Sequence, residues 1–151
     1  MDAIVERLKQ SEIFTDIEDA VLELVASTAQ KRHYEPGDCI FTAGEPRRFF
    51  LLILEGQIEV RVESGEGAGF LLILGRRDGA GESGLLEDSV HTATGIAASP
   101  LDVLELPLQE VREKLAQDAS AAMRVFAGVA RLMVRRLQYA AHRRAGWDQV
   151  Y

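Results

Sequence analysis

Apolar residues near the start of the chain recur at helical spacing. A short run covers 2–10, and after a break a second run continues to Ala29. Thr15 or Asp16 is the expected N-cap of the second helix, because a side-chain oxygen at that position accepts from the first free amides. The pattern therefore predicts N-terminal helices within 1–30.

From His33 the pattern changes to short runs of β-branched and aromatic residues, separated by turn-forming residues about every 8 to 12 positions. Within 57–62 apolar and polar residues alternate, as in a half-buried antiparallel strand. We predict an all-β region of antiparallel strands over 33–107. Its strands are expected at 39–42, 49–54, 57–62, 70–74, 92–98 and 101–106.

Helical spacing returns after the predicted strands. Pro107 opens a short helix, and Asp118 or Ser120 caps a long one that runs to about Arg144. Helices are thus expected over 108–146. The fold class that follows is α+β, mainly β, with helices before and after the strands.

The long last helix carries apolar residues on two sides. One stripe follows alternating steps of three and four, the spacing of a coiled-coil seam, and a second lies about 200° around the helix. A surface helix needs only one apolar stripe. We therefore expect one stripe to pack on the strands and the other to form a homodimer, rather than one broad core face. The predicted dimer seam is Met123, Phe126, Ala130, Met133 and Leu137.

Composition and charge narrow the function classes. The chain has 151 residues, of which 47% are hydrophobic, so we expect a single globular domain over 1–151. Its net charge of −7 argues against a surface that grips nucleic acid, and the basic strip from Ser120 onward is interpreted as a solvated helix face. Cys39 is the only cysteine and is expected to be a buried strand thiol.

No segment of the sequence has the character of a secretory signal or a membrane span, so we expect a cytoplasmic protein without membrane contact. There is no nucleophile elbow and no Walker loop. His33, His91 and His142 are too scattered for a metal site. We therefore expect neither an enzyme nor a metalloprotein.

Three segments, taken in order, resemble the cyclic-nucleotide-binding domain of catabolite-activator-like regulators, kinase regulatory subunits and gated channels. Residues 35–46 resemble the family's opening strand and turn, 50–60 its glycine-containing hairpin, and 81–94 its phosphate-binding cassette in spacing. The resemblance implies a sensory domain built on a jelly-roll-like double-stranded β-helix. Transcription regulators of this family continue into a helix-turn-helix domain, for which 146–151 leaves no room, so direct DNA binding is not expected.

In the family, the cassette holds a cyclic phosphate with amides at the start of a short turn and with one cation. The resemblance implies that the N–H of Ser83 or Gly84 faces the phosphate and that the Glu82 carboxylate accepts a hydrogen bond from the ribose 2′-hydroxyl. The alternative role of Glu82 is to cap a tight turn. The ligand-binding residues implied are Gly81, Glu82, Ser83, Gly84, His91 and Thr92. The family's last helix closes over the base, which implies a polar contact from Arg131, Arg135 or Tyr139.

The chain departs from the family where Val90-His91 stands in place of Pro-Arg, so the cassette has no arginine for the phosphate. Losing such a charged hydrogen bond lowers affinity by about tenfold to several hundredfold. His91 is either an anion donor or a surface histidine without a ligand, and an ordinary imidazole is mostly neutral at pH 7. Glu87 and Asp88 add negative charge beside the site.

We therefore predict a regulatory, small-ligand-sensing module that binds cAMP or cGMP weakly, or a different ligand, and signals through a separate protein partner. No cofactor is expected beyond such a nucleotide. Two alternatives stay open: a ligand-free pseudo-receptor that acts as a dimeric interaction module, and the sensor domain of a longer transcription regulator.

Overall fold

Two four-stranded antiparallel sheets form the roll, with helices before and after it in the chain. The computed structural model describes residues 2–62 and 70–144. In chain order the elements are α1 (Asp2–Lys9), α2 (Asp19–Ala26), β1 (Gln30–Tyr34), β2 (Cys39–Phe41), β3 (Phe49–Glu55), β4 (Ile58–Val62), β5 (Phe70–Leu74), β6 (Gly79–Ala80), a 3₁₀ turn (Glu82–Leu85), β7 (Thr94–Ala97), β8 (Leu101–Pro107), α3 (Leu108–Leu115) and α4 (Ala119–Arg144). The predicted α+β fold with a jelly-roll-like antiparallel roll is confirmed.

The first sheet has the strand order β1-β8-β3-β6 and the second the order β2-β7-β4-β5. Side chains of β8 alternate between two cores, because successive residues of a strand point to opposite faces of a sheet. Leu101 and Val103 lie inside the roll, whereas Leu104 and Leu106 pack under the helices. The first sheet is therefore covered on both faces.

The last helix, α4, packs into the core formed by the N-terminal helices and the outer face of the first sheet. Its Val125 and Val129 are fully buried. A Cβ on Gly128 would lie only 3.0 Å from the Ile13 Cα, so the helix approaches the neighbouring backbone closely. On the other side Met123 is 73% exposed. One of the two apolar stripes thus supplies the core, and the other lies on the surface.

The N-cap of α2 differs from the prediction. Glu18 occupies that position and makes no side-chain cap bond. The Thr15 hydroxyl donates instead to the Ser11 carbonyl oxygen at 3.0 Å. The expected cap at Thr15 or Asp16 is wrong because the chain makes further turns between the two helices before α2 begins at Asp19.

All six predicted strands are present, with ends that differ by two residues at most. The sequence pattern missed β6, which has only two residues. It also missed β1, whose side chains are mostly exposed and polar, so the roll begins at Gln30 rather than His33. Cys39 is exposed and not buried, because it begins a short edge strand. At α4 the cap is Asp118, whose Oδ1 accepts from the Ala121 N–H at 3.0 Å.

Candidate functional site

A cavity of about 360 Å³ lies between the roll and α4. The apolar side chains Val60 and Leu72 line it from the second sheet, and 81–83 line it from the start of the 3₁₀ turn. From α4 it receives Arg136 and Leu137, among others. We call this space the cassette cavity. It joins apolar walls to a few polar groups, which is the usual character of a small-molecule site.

Two glycines set the shape of the turn beside the cavity. Gly81 has φ +88°, a conformation that L side chains rarely adopt. A Cβ there would also lie 2.5 Å from the Phe49 carbonyl oxygen. At Gly84 a Cβ would lie 2.4 Å from Leu108 Cδ1. The turn is therefore pressed against β3 on one side and α3 on the other, and this holds Glu82 in place.

Glu82 is buried in the cassette cavity with 2% of its surface exposed. Arg136 donates from Nη1 to the carboxylate oxygen Oε1, and from Nη2 to the Gly79 carbonyl oxygen at 3.0 Å. The second oxygen, Oε2, has no hydrogen-bond partner among the described residues. Burial raises the pKa of the Glu82 carboxyl, and the guanidiniums of Arg136 and Arg47 oppose the rise. The unpaired oxygen favours a ligand that donates a hydrogen bond to it.

A second cation reaches the cavity from outside the cassette. Arg47, in the loop between β2 and β3, lines the cavity and donates from Nη1 to the Ser89 hydroxyl at 2.9 Å. The two segments are held together by an antiparallel bridge between Pro46 and Val90. Burial lowers the pKa of Arg47, and the nearby Glu82 opposes this. The cassette's own sequence lacks an arginine, but the fold brings one beside it.

His91 belongs to the cavity wall. Its ring stacks on Phe41 with the centroids 4.6 Å apart and the planes at 13°, and Thr92 lines the cavity next to it. Burial lowers the pKa of His91, as does the positive charge of Arg47, while Glu45 acts in the opposite direction. The lowered pKa favours the neutral imidazole, which can offer a ligand a hydrogen bond.

The two amides of the turn and the acidic residue Asp88 differ in how far they are already paired. The Gly84 N–H donates to the Gly81 carbonyl oxygen at 3.0 Å, whereas no backbone bond described outside the helices and strands uses the Ser83 N–H. The Ser83 N–H is thus the better of the two donors for a phosphate.

Asp88 pairs with Arg112 Nη2 at 2.6 Å, so its negative charge is already balanced in the absence of a ligand.

The polar residues of α4 predicted to contact a base lie away from the cassette cavity. Arg135 pairs with Glu12, Arg131 is exposed, and Tyr139 is 45% exposed. Their contact with a bound base stays a prediction. Among the described residues, the α4 side chains that line the cavity are Met133, Arg136, Leu137 and Ala140.

The predicted dimer seam and the cassette cavity share part of α4. Met133 and Leu137 line the cavity, and Leu137 is nevertheless 71% exposed. Phe126 is 37% exposed, and Ala130 also lies on the surface. The stripe therefore forms an exposed apolar strip that continues from the cavity along the helix.

The family model described as the cyclic nucleotide-binding domain matches residues 31–118. This chain belongs to the cyclic nucleotide-binding domain family. The match includes the whole roll from the second residue of β1 together with the 3₁₀ turn, His91 and α3. The predicted membership is confirmed, and with it the assignment of the chain as a regulatory, ligand-sensing module.

Curated relatives are larger proteins. Over 90 residues, 60% of this chain, the identity is 32% to the acetyltransferase Pat of Mycolicibacterium smegmatis. The chain is also 32% identical to the cGMP-dependent protein kinase egl-4 of Caenorhabditis briggsae, over 106 residues or 68% of its length. The matched regions are 27% and 14% of those proteins, so this chain spans less than a third of their length.

Solved structures share the fold at low identity. The N-terminal domain of a transcriptional regulator from Streptomyces coelicolor A3(2) gives a TM-score of 0.73 at 22% identity, over 86% of this chain and 94% of that one. The sensor domain of the transcriptional regulator DNR from Pseudomonas aeruginosa gives a TM-score of 0.75 at 17% identity, over 91% of this chain and 93% of that one. For the regulatory subunit of a cAMP-independent protein kinase A from Trypanosoma brucei, the TM-score is 0.70 at 21% identity, over 91% of this chain and 47% of that one.

Neither a membrane-spanning helix nor a metal-binding cluster is present in the described part of the chain. Across 2–62 and 70–144 no helix combines the length and the apolar character that crossing a bilayer requires. The same stretches contain no group of three or more histidine, cysteine, aspartate or glutamate side chains able to hold a metal ion.

The buried ion pair predicts a specific stability effect. Arg136→Gln leaves the Glu82 charge buried without its main partner, so the free energy of unfolding should fall by about 3 kcal/mol in urea denaturation. The double variant Glu82→Gln/Arg136→Gln should recover most of this loss, because no charge is then left buried. Arg131→Gln, exposed on the same helix, is the control and should change the free energy by less than about 0.5 kcal/mol. Equal losses for the two single arginine variants would contradict a structural role for the pair.

Proposed function

We propose that this domain binds a cyclic nucleotide in the cassette cavity and passes the event to α4. The observation that carries the proposal is the buried Glu82 carboxylate, which has one oxygen paired with Arg136 and the other without a donor. A hydroxyl group of a ligand would supply that donor, and the ribose 2′-hydroxyl is the group that the family resemblance assigns to this residue. A purely structural carboxylate would be expected to have both oxygens satisfied.

The phosphate would be held by groups from two segments. The Ser83 amide at the start of the turn offers a donor, and Arg47 offers the positive charge that the Pro-Arg pair supplies elsewhere in the family. Arg47 already donates to Ser89 and is attracted by Glu82, so only part of its charge is available to a ligand. We therefore expect weak binding, with a Kd on the order of 10 to 100 μM.

The base would be held by apolar contact. Met133, Leu137 and Ala140 are the neutral α4 side chains at the cavity, and none of them reads the hydrogen-bonding edge of a purine. These α4 side chains should therefore discriminate little between cAMP and cGMP, because telling the two purine edges apart requires polar groups that hydrogen-bond to them.

α4 is the proposed route to a partner. It carries the arginine that pairs with Glu82, and its exposed apolar stripe is the proposed homodimer seam. A ligand hydroxyl that donates to the free oxygen would share the carboxylate's charge with Arg136 and weaken that ion pair, which changes how firmly the turn holds the helix. A separate protein partner or a further domain of a longer regulator would receive the change. The domain itself is proposed to have no catalytic step, and a cytoplasmic location stays a prediction.

Ligand binding can be tested with matched charge-neutral variants. Arg47→Gln and Glu82→Gln should each weaken cAMP binding by about tenfold or more in isothermal titration calorimetry, because each removes a charged hydrogen-bonding group from the cavity. Arg76→Gln and Glu23→Gln are the controls, since both residues are exposed and lie outside the cavity lining. They should leave the Kd within about twofold.

Calorimetry would reject the nucleotide proposal if wild-type protein gave no heat with cAMP or cGMP at millimolar concentration while remaining folded. The ligand-free interaction module would then be favoured. Binding that is the same in Arg47→Gln as in wild type would reject the assigned phosphate contact but not the cavity.

The dimer can be tested separately from the ligand. Ala130→Glu places a charge in the middle of the exposed stripe and should convert a dimer to monomer in sedimentation equilibrium at tens of micromolar, because a desolvated unpaired charge opposes association. Gln138→Glu adds the same charge on the same helix outside the stripe and should leave the dimer intact. A monomeric wild-type protein at that concentration would contradict the seam.

A further inference from the structure

A second cavity shares the stacked rings of Phe41 and His91 with the cassette cavity. Its volume is about 410 Å³, and residues of β1, β2, β3 and β8 line it. Ala80 also lines both spaces, so the two cavities are neighbours that meet at these three residues. We call the second space the edge cavity.

Glu105 occupies a position in the edge cavity where the strand pattern calls for an apolar residue. In β8, Leu101 and Val103 face the interior of the roll, and Glu105 is the next residue on that face. Only 7% of its surface is exposed, and the buried Leu51 is its cross-strand partner on β3. A carboxylate at such a place is costly unless donors pair with it closely.

The groups that now face this carboxylate are distant. Tyr34 Oη donates to Glu105 Oε2 at 3.4 Å, and Arg32 Nε lies 3.8 Å from the same oxygen. Hydrogen bonds between charged groups are ordinarily about 2.7 to 2.9 Å long. Arg32 is half exposed and its guanidinium lies over the Tyr34 ring, 5.6 Å from the centroid. Glu105 therefore retains capacity for a closer donor.

The other residues that line the edge cavity indicate the shape and charge of a ligand that could donate to Glu105. Tyr34, Phe41 and Phe49 present aromatic surface, and such faces attract planar groups and cations. The charged residues are balanced, with Arg32 and Arg48 against Glu45 and Glu105. Of these four, only the last is buried, so the interior charge is negative and the positive charges lie at the surface.

We propose that the edge cavity is a second ligand site, which takes a small planar molecule carrying a cationic N–H donor group, such as an amidinium or a guanidinium. Glu105 accepts two parallel N–H bonds from that group, and the aromatic side chains cover its plane. The cavity is large enough to admit a planar ring that carries such a group. This site does not depend on nucleotide binding in the cassette cavity.

Benzamidine is the probe, because it joins an aromatic ring to a planar fork of N–H donors. Saturation-transfer NMR should detect its binding, with a Kd of about 1 mM or tighter, as a ligand of this size allows. Benzamide lacks the charge and benzoate reverses it, so both should bind at least about tenfold more weakly. Benzoate binding equal to or tighter than benzamidine binding would overturn the proposal in favour of an anion site at the exposed arginines.

Charge-neutral variants locate the probe. Glu105→Gln should weaken benzamidine binding by about tenfold or more, whereas Glu55→Gln, at the exposed end of β3, should leave it unchanged. Glu82→Gln should also leave it unchanged, and saturating cAMP should not displace the probe. Loss of binding in Glu82→Gln, or equal binding in wild type and Glu105→Gln, would overturn the edge cavity as the site.

Two further variants distinguish loss of the ligand site from loss of the folded state. Ile40→Trp adds volume at a half-buried position of the lining and should block benzamidine without touching Glu105. Glu105→Leu should abolish binding and raise the Tm, because it removes a buried charge retained for the ligand. A lower Tm for Glu105→Leu, together with undiminished benzamidine binding in Ile40→Trp, would show a merely structural carboxylate.

Discussion

The buried ion pair between Glu82 and Arg136 ties the ligand cavity to the last helix. A carboxylate with 2% exposure cannot remain charged in an apolar cavity without a cation, so the position of α4 and the geometry of the turn depend on one another. Gly81 and Gly84 hold the turn against β3 and α3, which leaves Glu82 little freedom to move away. Any group that binds the free carboxylate oxygen therefore acts on the helix as well as on the turn.

The charges in this domain are redistributed relative to the family pattern. The cassette lost its arginine, and Arg47 approaches the same cavity from a loop on the other side, held by the bridge between Pro46 and Val90. His91, which stands at the family's arginine position, stacks on Phe41 instead. Both rings line two neighbouring cavities with a buried carboxylate in each, Glu82 in one and Glu105 in the other.

The sequence predicted what depends on local periodicity and missed what depends on contacts between distant segments. Six strands, α1 and the long α4 followed from alternation and helical spacing, whereas β1 was missed because its side chains are polar and exposed. Arg136 reaches a residue 54 positions away, and Arg47 one 42 positions away, so no local pattern marks either of them. Glu105 did leave a signal, a charge on the apolar face of β8, which only the burial makes meaningful.

Hydrogen exchange of α4 amides with and without saturating cAMP tests most directly whether the Glu82–Arg136 pair transmits ligand binding. We expect exchange to change in 130–140 as well as in the turn at 81–86, because a hydroxyl on the free oxygen shares the charge of the carboxylate that holds the helix. The α4 change should disappear in Arg136→Gln at matched cAMP saturation. A change confined to the turn in a protein that calorimetry shows to be saturated would contradict this link.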